Sequence, residues 1–167
     1  MSKHNMKKGF TLVELVVVIA IIGVLAAILI PSLMGHVKKT KLRTANFNAK
    51  NAYSALNNAA SSLTTDGQVS EIERHSPIAV SNLDESNDLE KACKDALGDN
   101  GITSGYICWD INAEKKVICA QWADNLTDAT IVGQYPNPAD NADVATVVLG
   151  NLLNGDKWSD EAKPDLS

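Results

Sequence analysis

Residues 7–31 of the chain, KKGFTLVELVVVIAIIGVLAAILIP, place one acidic residue at the head of a long apolar run. No Asp, Glu, Lys or Arg follows Glu14 until Lys38. The run over residues 10–30 has the length of about 20 residues that a membrane-spanning helix needs. A carboxylate in apolar surroundings is unfavourable until it finds a cation, so it selects a partner and a register. We therefore interpret Glu14 as a functional residue.

The segment KKGFTLVE, residues 7–14, resembles the processing signature of type IV prepilins and of the related pseudopilins of type II secretion and competence systems. The resemblance implies that residues 1–9 form a basic leader that stays in the cytoplasm. It also implies that a membrane aspartyl peptidase, the prepilin peptidase, cuts between Gly9 and Phe10, and that the new first residue, Phe10, is N-methylated. Glu14 matches the conserved acid at the fifth place of the mature chain in that family.

The same resemblance assigns helix-breaking roles to Gly23 and Pro31. Glycine and proline weaken helix interiors by about 1 and 3 kcal/mol relative to alanine, so the hydrophobic helix over residues 10–31 can unwind locally. A simple kink at Pro31 is the alternative. Once the leader is removed, Phe10 carries a positive amine. We expect the amine of a neighbouring subunit to pair with Glu14. This ion pair would fix the register of one subunit against the next during assembly.

Two other interpretations of the N-terminal segment are open to test. A cleaved secretory signal has an apolar stretch of about 7–15 residues and a small-residue cleavage site, whereas here the run is longer and ends in Leu29-Ile30-Pro31. A plain transmembrane anchor fits the length but leaves Glu14 and the junction of Gly9 with Phe10 unexplained.

Residues 32–63 continue the helix with an amphipathic pattern. Small and apolar residues recur at steps of three and four, at Ala45, Ala49, Ala52, Leu56, Ala59 and Leu63. Asp66-Gly67 supplies a stop signal. A coiled coil is the rival interpretation, but sustained leucine or isoleucine heptads are missing.

Residues 64–167 form the predicted globular head. We expect a loop over residues 71–84, a helix over 87–97 capped by Asn87 and Glu90 and ended by Gly98, and strands over 105–111, 116–122 and 129–135. Residues 144–153 fit a strand or a helix. The predicted fold class is α+β: a long N-terminal helix packed on a small antiparallel sheet with an extra helix.

The head contains all three cysteines, Cys93, Cys108 and Cys119. Pairing the two central strands across the turn at residues 112–115 places Cys108 opposite Cys119. A disulfide from Cys93 to one of these two would tie the second helix to the sheet, and we favour that bond; three reduced, buried cysteines are the alternative.

Composition excludes several functions. The chain has 15 basic and 20 acidic residues and a formal net charge of −5, and its distal part is acidic, which argues against nucleic acid as a partner. No catalytic motif is present, so we expect no enzyme and no metal or other cofactor. Calcium at Asp140, Asn141 and Asp143 is a minority hypothesis, as is a carbohydrate-stacking role for Trp109, Trp122 and Trp158.

The expected function is that of a structural subunit of an extracellular type IV pilus serving adhesion, motility or surface attachment. The resemblance implies a homopolymer, with the prepilin peptidase, a pilus assembly platform and ATPase machinery, and membrane lipid before assembly as partners. The protein would be a single-pass membrane protein and then part of a filament. The alternatives are a pseudopilin of a type II secretion or DNA-uptake system and, in another class, a membrane-anchored polysaccharide-binding adhesin.

Overall fold

The computed structural model describes residues 10–126, 131–141 and 149–150. The elements, in chain order, are α1 (Leu12–Thr65), β1 (His75–Ala79), α2 (Asp88–Asp99), β2 (Tyr106–Ile111), β3 (Val117–Ala123) and β4 (Val132–Tyr135), with 3-10 turns at Val69–Glu71 and Val80–Asn82. The four strands form one antiparallel sheet in the order β1-β2-β3-β4. The fold is α+β, with a long N-terminal helix packed on the sheet and a second helix, so the predicted fold class is confirmed.

Two compact units make up the chain, Met1–Val37 and Lys38–Ser167. In the described part of the first unit the helix carries apolar side chains that are almost all exposed. By length and composition, α1 contains a stretch able to cross a membrane. The predicted segment boundaries at residues 9, 31 and 63 stay predictions.

The second helix follows the predicted capping pattern at its start. The Oδ1 atom of Asn87 accepts hydrogen bonds from the backbone amides of Leu89 and Glu90, both at 3.0 Å. The carboxylate of Glu90 does not return to Asn87 and instead accepts from the amide of Asp84 at 2.7 Å. Asn87 therefore caps α2, and Glu90 ties the preceding loop to it.

The predicted end of α2 is displaced. The helix continues through Gly98 to Asp99, and the left-handed residue is Gly101, with φ of 77°. The amide of Ile102 donates to the carbonyl of Leu97 at 2.9 Å, the bond that closes a Schellman motif around a glycine at C′. Gly98 therefore lies inside the helix, and Gly101 ends it and lets Ile102 pack against the core.

The prediction of a loop over residues 71–84 is wrong over β1. His75–Ala79 pairs with β2 at the edge of the sheet, with a register shift between His75 and Ile78. Pro77 lies within this shift and has no amide proton, and proline is tolerated in a strand only at such an edge or bulge. This strand was not predicted because it is short and contains a proline.

The register predicted for the central hairpin is also wrong. Cys108 pairs with Gln121, and Cys119 pairs with Asp110, after a shift between Asp110 and Ile111. The turn is wider than predicted, because the amide of Asn112 bonds to the carbonyl of Lys116 at 2.9 Å. Cys108 and Cys119 are therefore diagonal neighbours, and Trp109 lies opposite Ala120 rather than Ile118.

The third predicted strand is present as β4, Val132–Tyr135. Its predicted first residues, 129 and 130, lie outside the described residues. So does most of the ambiguous segment over residues 144–153. Leu149 is buried, and the amide of Gly150 donates to Oε1 of Gln121 at 3.0 Å.

The core lies between the sheet and the helices. The alanine-rich face of α1 is buried against the sheet, and the two backbones approach closely at Gly133, where an added Cβ would overlap the backbone of Ala45. Only glycine fits there, since strand and helix backbones are in contact. The side chains of α2 that point inward, Leu89, Cys93 and Leu97, join the same cluster as Trp109.

Neither edge of the sheet offers a full row of backbone donors and acceptors. At β1, Pro77 and the register shift interrupt the outer edge. At β4, the amide of Gln134 donates to Oδ1 of Asn46 on α1, at 3.1 Å. The side chain of Gln134 also accepts from Nε2 of Gln121 at 2.9 Å, so a buried amide pair fixes β3 to β4 on the side of the sheet that faces away from α1.

Candidate assembly site

Thr11 and Glu14 form a reciprocal cap at the start of α1. The backbone amide and the hydroxyl of Thr11 donate to Oε2 of Glu14, at 2.9 and 2.7 Å. In return the amide of Glu14 donates to Oγ1 of Thr11 at 3.2 Å. This is a capping box, in which the N-cap threonine and the glutamate three residues later satisfy each other's amides. The carboxylate of Glu14 thus has a local partner.

The surroundings of this cap are apolar and carry no opposite charge from the sequence. Residues 10–37 contain no lysine or arginine, and the side chains beside Glu14, such as Val13 and Leu15, are 69% and 58% exposed. Both hydrogen bonds from Thr11 go to the same oxygen, Oε2. Oε1 of Glu14 therefore points to no described donor, and it is the oxygen able to receive an amine from another chain.

Of the two residues at the predicted cleavage junction, Gly9 lies outside the described residues. Phe10 is described, and it is 83% exposed just before the helix. Cleavage and methylation at Phe10 stay predictions.

Helix α1 is unbroken at Gly23 and Pro31 in the single chain. A Cβ added at Gly23 would meet no atom within 4 Å, so no contact in this chain requires glycine there. The residue can serve flexibility or close packing against a helix of another chain. The predicted unwinding between Gly23 and Pro31 stays a prediction about an assembled state.

The three cysteines are free and buried, and the favoured disulfide is not formed. Cys93 lies in the cluster between α1, α2 and the sheet, whereas Cys108 belongs to a separate cluster with Leu42 and Leu149. Cys108 and Cys119 share the sheet face that points away from α2, and this separates both from Cys93. Diagonal cross-strand neighbours have Cα atoms about 7–8 Å apart, which is too far for a bond between Cys108 and Cys119.

Burial controls the chemistry of these thiols. Loss of solvation raises the pKa of the Cys93 thiol to about 12, with a contribution from the charge of Glu90. Loss of solvation likewise raises the pKa of Cys108 to about 12, and it raises the pKa of Cys119. Because the thiolate is the reactive form, we expect all three thiols to be unreactive at neutral pH.

No group of three His, Cys, Asp or Glu side chains suited to a metal ion occurs among the described residues. Asp140 and Asn141 are exposed, and Asp143 lies outside the described part of the chain. Calcium at these residues stays a hypothesis. Trp109 is buried and donates from Nε1 to the carbonyl of Glu73 at 2.9 Å, so its ring is not available for stacking on a sugar.

Sequence reasoning identified Glu14 but missed its partner Thr11. The signal was present, because T-x-x-E before an apolar run is the sequence form of a capping box. It also missed the buried amides that join the strands, Gln121 and Gln134, for which no local pattern exists. Their role depends on the register of β3 and β4, which the turn and the bulge determine.

The N-terminal segment of the chain is similar in sequence to a described family and to several characterised proteins. Residues 4–30 match the family described as the prokaryotic N-terminal methylation motif. A fimbrial protein of Pseudomonas aeruginosa is 44% identical over 62 residues, which cover 37% of this chain and 38% of that protein. The type IV major pilin protein PilA of Myxococcus xanthus is 48% identical over 55 residues, covering 32% of this chain and 25% of PilA. The type II secretion system core protein G of Escherichia coli is 51% identical over 39 residues, covering 23% of this chain and 27% of that protein.

These similarities are confined to part of each protein. The matched segment spans 38% of the Pseudomonas protein and less of the other two. No solved structure shows a significant match to the chain. The N-terminal part of the chain is therefore similar to that of fimbrial proteins, of a type IV major pilin and of a type II secretion core protein, and its residues 4–30 match the N-terminal methylation motif.

Proposed function

We propose that the chain is the structural subunit of an extracellular type IV pilus, polymerised through its N-terminal helix. The observation that carries the proposal is the cap of Thr11 on Glu14, which lies at the head of an exposed apolar helix and inside the residues that match the methylation motif. A soluble domain would bury that apolar surface. Membrane lipid covers it before assembly, and the helices of other subunits cover it afterwards.

The proposed mechanism begins with cleavage between Gly9 and Phe10 by prepilin peptidase, which creates a positive amine at Phe10. In the unassembled subunit Thr11 holds the carboxylate of Glu14 through Oε2. In the filament the amine of a neighbouring subunit approaches Oε1 and supplies the cation that this apolar region lacks. A charge-assisted hydrogen bond in a low-dielectric region is strong and directional, so it fixes the register between subunits.

The remaining roles follow from this assignment. The leader stays in the cytoplasm, and the helix crosses the membrane once until an assembly platform and its ATPase extract the subunit. The filament then serves adhesion, motility or surface attachment.

Processing is tested by intact mass and N-terminal sequencing of protein sheared from the cell surface. The expected mature chain begins at Phe10, with the added mass of one methyl group. Protein that still begins at Met1 in purified fibres would refute the proposal.

The role of Glu14 is tested with two variants that separate assembly from capping. Glu14→Leu removes both the cap and the charge, whereas Thr11→Val removes the threonine hydroxyl and keeps the carboxylate. We expect both to be inserted and processed, with fibre yield lost in Glu14→Leu and largely retained in Thr11→Val. Equal loss in the two variants would show that Glu14 acts only as a helix cap.

A pseudopilin is the second candidate, because the E. coli type II secretion system core protein G is among the proteins that share this N-terminal part. Electron microscopy of the cell surface separates the two. Long surface fibres containing this chain support the pilus, whereas short periplasmic or wall-spanning filaments, with secretion lost on deletion, support the pseudopilin.

A further inference from the structure

Within the second unit, the first turns of α1 present four exposed side chains on one side of the helix. We call them the basic ridge: Lys39, Arg43, Phe47 and Lys50. At about 100° per residue they share one side of the helix, and the buried face, which includes Leu42 and Ala45, lies on the other. Phe47 is 54% exposed in the middle of the ridge.

The charges of the ridge are unbalanced. No Asp or Glu occurs between Leu15 and Thr65. Lys39 and Arg43 form no ion pair with a described residue, and Lys50 has only the Tyr135 ring, with Nζ 5.7 Å from the ring centroid. Lys41, on another side of the helix, does have an acidic neighbour, since its Nζ lies 3.7 Å from Asp124. Lys39, Arg43 and Lys50 thus lie along one side of α1 without an acidic partner among the described residues.

Near the C-terminal end of α1, residues of α1 and α2 line an open groove of about 330 Å³. We call it the acidic groove, and its lining residues are Ala59, Ser62, Leu63, Asp66, Asp88, Lys91, Ala92 and Asp95. The three aspartates are exposed and form no ion pair with a described residue. Alanine and leucine side chains line it between the acids. With three aspartates against Lys91, the groove keeps a net negative charge that is complementary to the ridge, and its apolar lining suits an aromatic side chain.

The two surfaces lie on different sides of α1. Counting along the helix at about 1.5 Å and 100° per residue, they are about 25 Å apart along its axis and more than a quarter turn apart around it. A copy that offers its groove to a ridge therefore has its own ridge facing away. Such a contact is heterologous, and heterologous contacts that do not close into a ring generate filaments.

We propose that the basic ridge of one copy docks in the acidic groove of the next copy, with Phe47 against Ala92 and the aspartates around the cations. The proposal rests on the proposed function, because it names a contact between the heads of adjacent pilus subunits. Aromatic side chains at the centre of an interface carry much of its energy, and charges at the rim give orientation and specificity.

The test is charge reversal in the full-length chain. We expect fibre yield to fall about tenfold in the ridge variant Lys39→Glu with Arg43→Glu, and equally in the groove variant Asp88→Lys with Asp95→Lys. The variant with all four changes should return to within about twofold of wild type, because the pairs re-form with opposite polarity. Phe47→Ser should also lose yield, whereas Leu126→Ser, at the other exposed large apolar residue of the described head, should not.

The control for total charge is Asp99→Lys with Glu73→Lys, which reverses two exposed acids outside the groove. Unchanged yield in the ridge and groove variants, while wild type forms fibres, would overturn the docking and leave the proposed function intact. Absence of wild-type fibres would refute the proposed function itself. Loss in the ridge variant without rescue, together with weaker binding to vesicles containing phosphatidylglycerol, would assign the ridge to lipid and overturn the docking.

Cross-linking tests the direction of the contact. In a chain with Arg43→Cys and Asp95→Cys, a short bis-maleimide should join fibre subunits into a ladder of trimers and longer species. The native thiols do not compete, because all three are buried with raised pKa values. Dimers alone, or no cross-links, would contradict the head-to-tail arrangement.

Discussion

Burial of the Cys93 side chain makes the folding stability of the protein depend on pH. The thiol is buried between α1, α2 and the sheet, and this burial raises its pKa to about 12. In the unfolded chain the thiol ionises near its ordinary pKa of about 8.5. Between these two values the folded state binds the proton and the unfolded state does not. The contribution of Cys93 to stability is therefore complete below about pH 8.5 and falls as the pH rises.

We expect unfolding of the full chain in detergent to show this loss. Above about pH 9, the free energy of unfolding contributed by one such thiol falls by up to about 1.4 kcal/mol per pH unit. Cys93→Ala removes the term, so the variant, although less stable at pH 7, should show a shallower decline from pH 9 to pH 11. Parallel curves for the two proteins, measured by chemical denaturation, would contradict the burial of a neutral thiol.

At the scale of elements, local signals predicted local structure. The cap at Asn87, the stop at Asp66-Gly67 and the two central strands were readable from neighbouring residues. The strand β1 and the hairpin register were not, because a proline concealed the first and a bulge at Asp110 shifted the second. Both depend on how strands pair across the sheet, which no short window of sequence encodes.

Some residues of the candidate sites could be predicted from a local sequence pattern, whereas others depend on tertiary packing. Gly9, Phe10 and Glu14 lie in one continuous pattern, and the partner Thr11 was within it. The ridge could be read from helical spacing, but the groove could not, because it exists only where α2 packs beside the end of α1.

The contact of β4 with α1 gives a prediction at this scale. An alanine at Gly133 would overlap the backbone of Ala45. Overpacking of this kind costs about 1–3 kcal/mol, so Gly133→Ala should lower the melting temperature by several degrees. The matched control is Gly98→Ala in α2, where an added Cβ meets nothing within 4 Å and stability should rise by about 0.5–1 kcal/mol. Circular dichroism on heating measures both, and equal melting temperatures would contradict the close approach of strand and helix.

At the scale of the whole molecule, the buried residues and the exposed apolar ones separate along the chain. Among the described residues the first buried apolar side chain is Leu42, and the exposed large apolar side chains are concentrated from Phe10 to Val37. The core of the second unit, Lys38–Ser167, therefore uses no described residue of the first.

We accordingly expect a fragment of residues 38–167 to fold alone as a soluble monomer. It should melt cooperatively, and its three thiols should resist maleimide at pH 7 until denaturant is added. Gel filtration, thermal melting and thiol counting check these outcomes. Aggregation, or thiols that react at once, would show that the N-terminal unit is needed for the head to fold.

The interrupted edges of the sheet hinder pairing between the sheets of neighbouring chains. Protein chains held side by side at high density are prone to join their sheets through free strand edges, which is the route to amyloid. Here Pro77 blocks one edge and Asn46 occupies the amide of Gln134 on the other. In the proposed fibre these interruptions would limit backbone pairing between the described sheets of adjacent heads. Each subunit would then keep its own sheet, and the polymer could be taken apart into intact, reusable monomers.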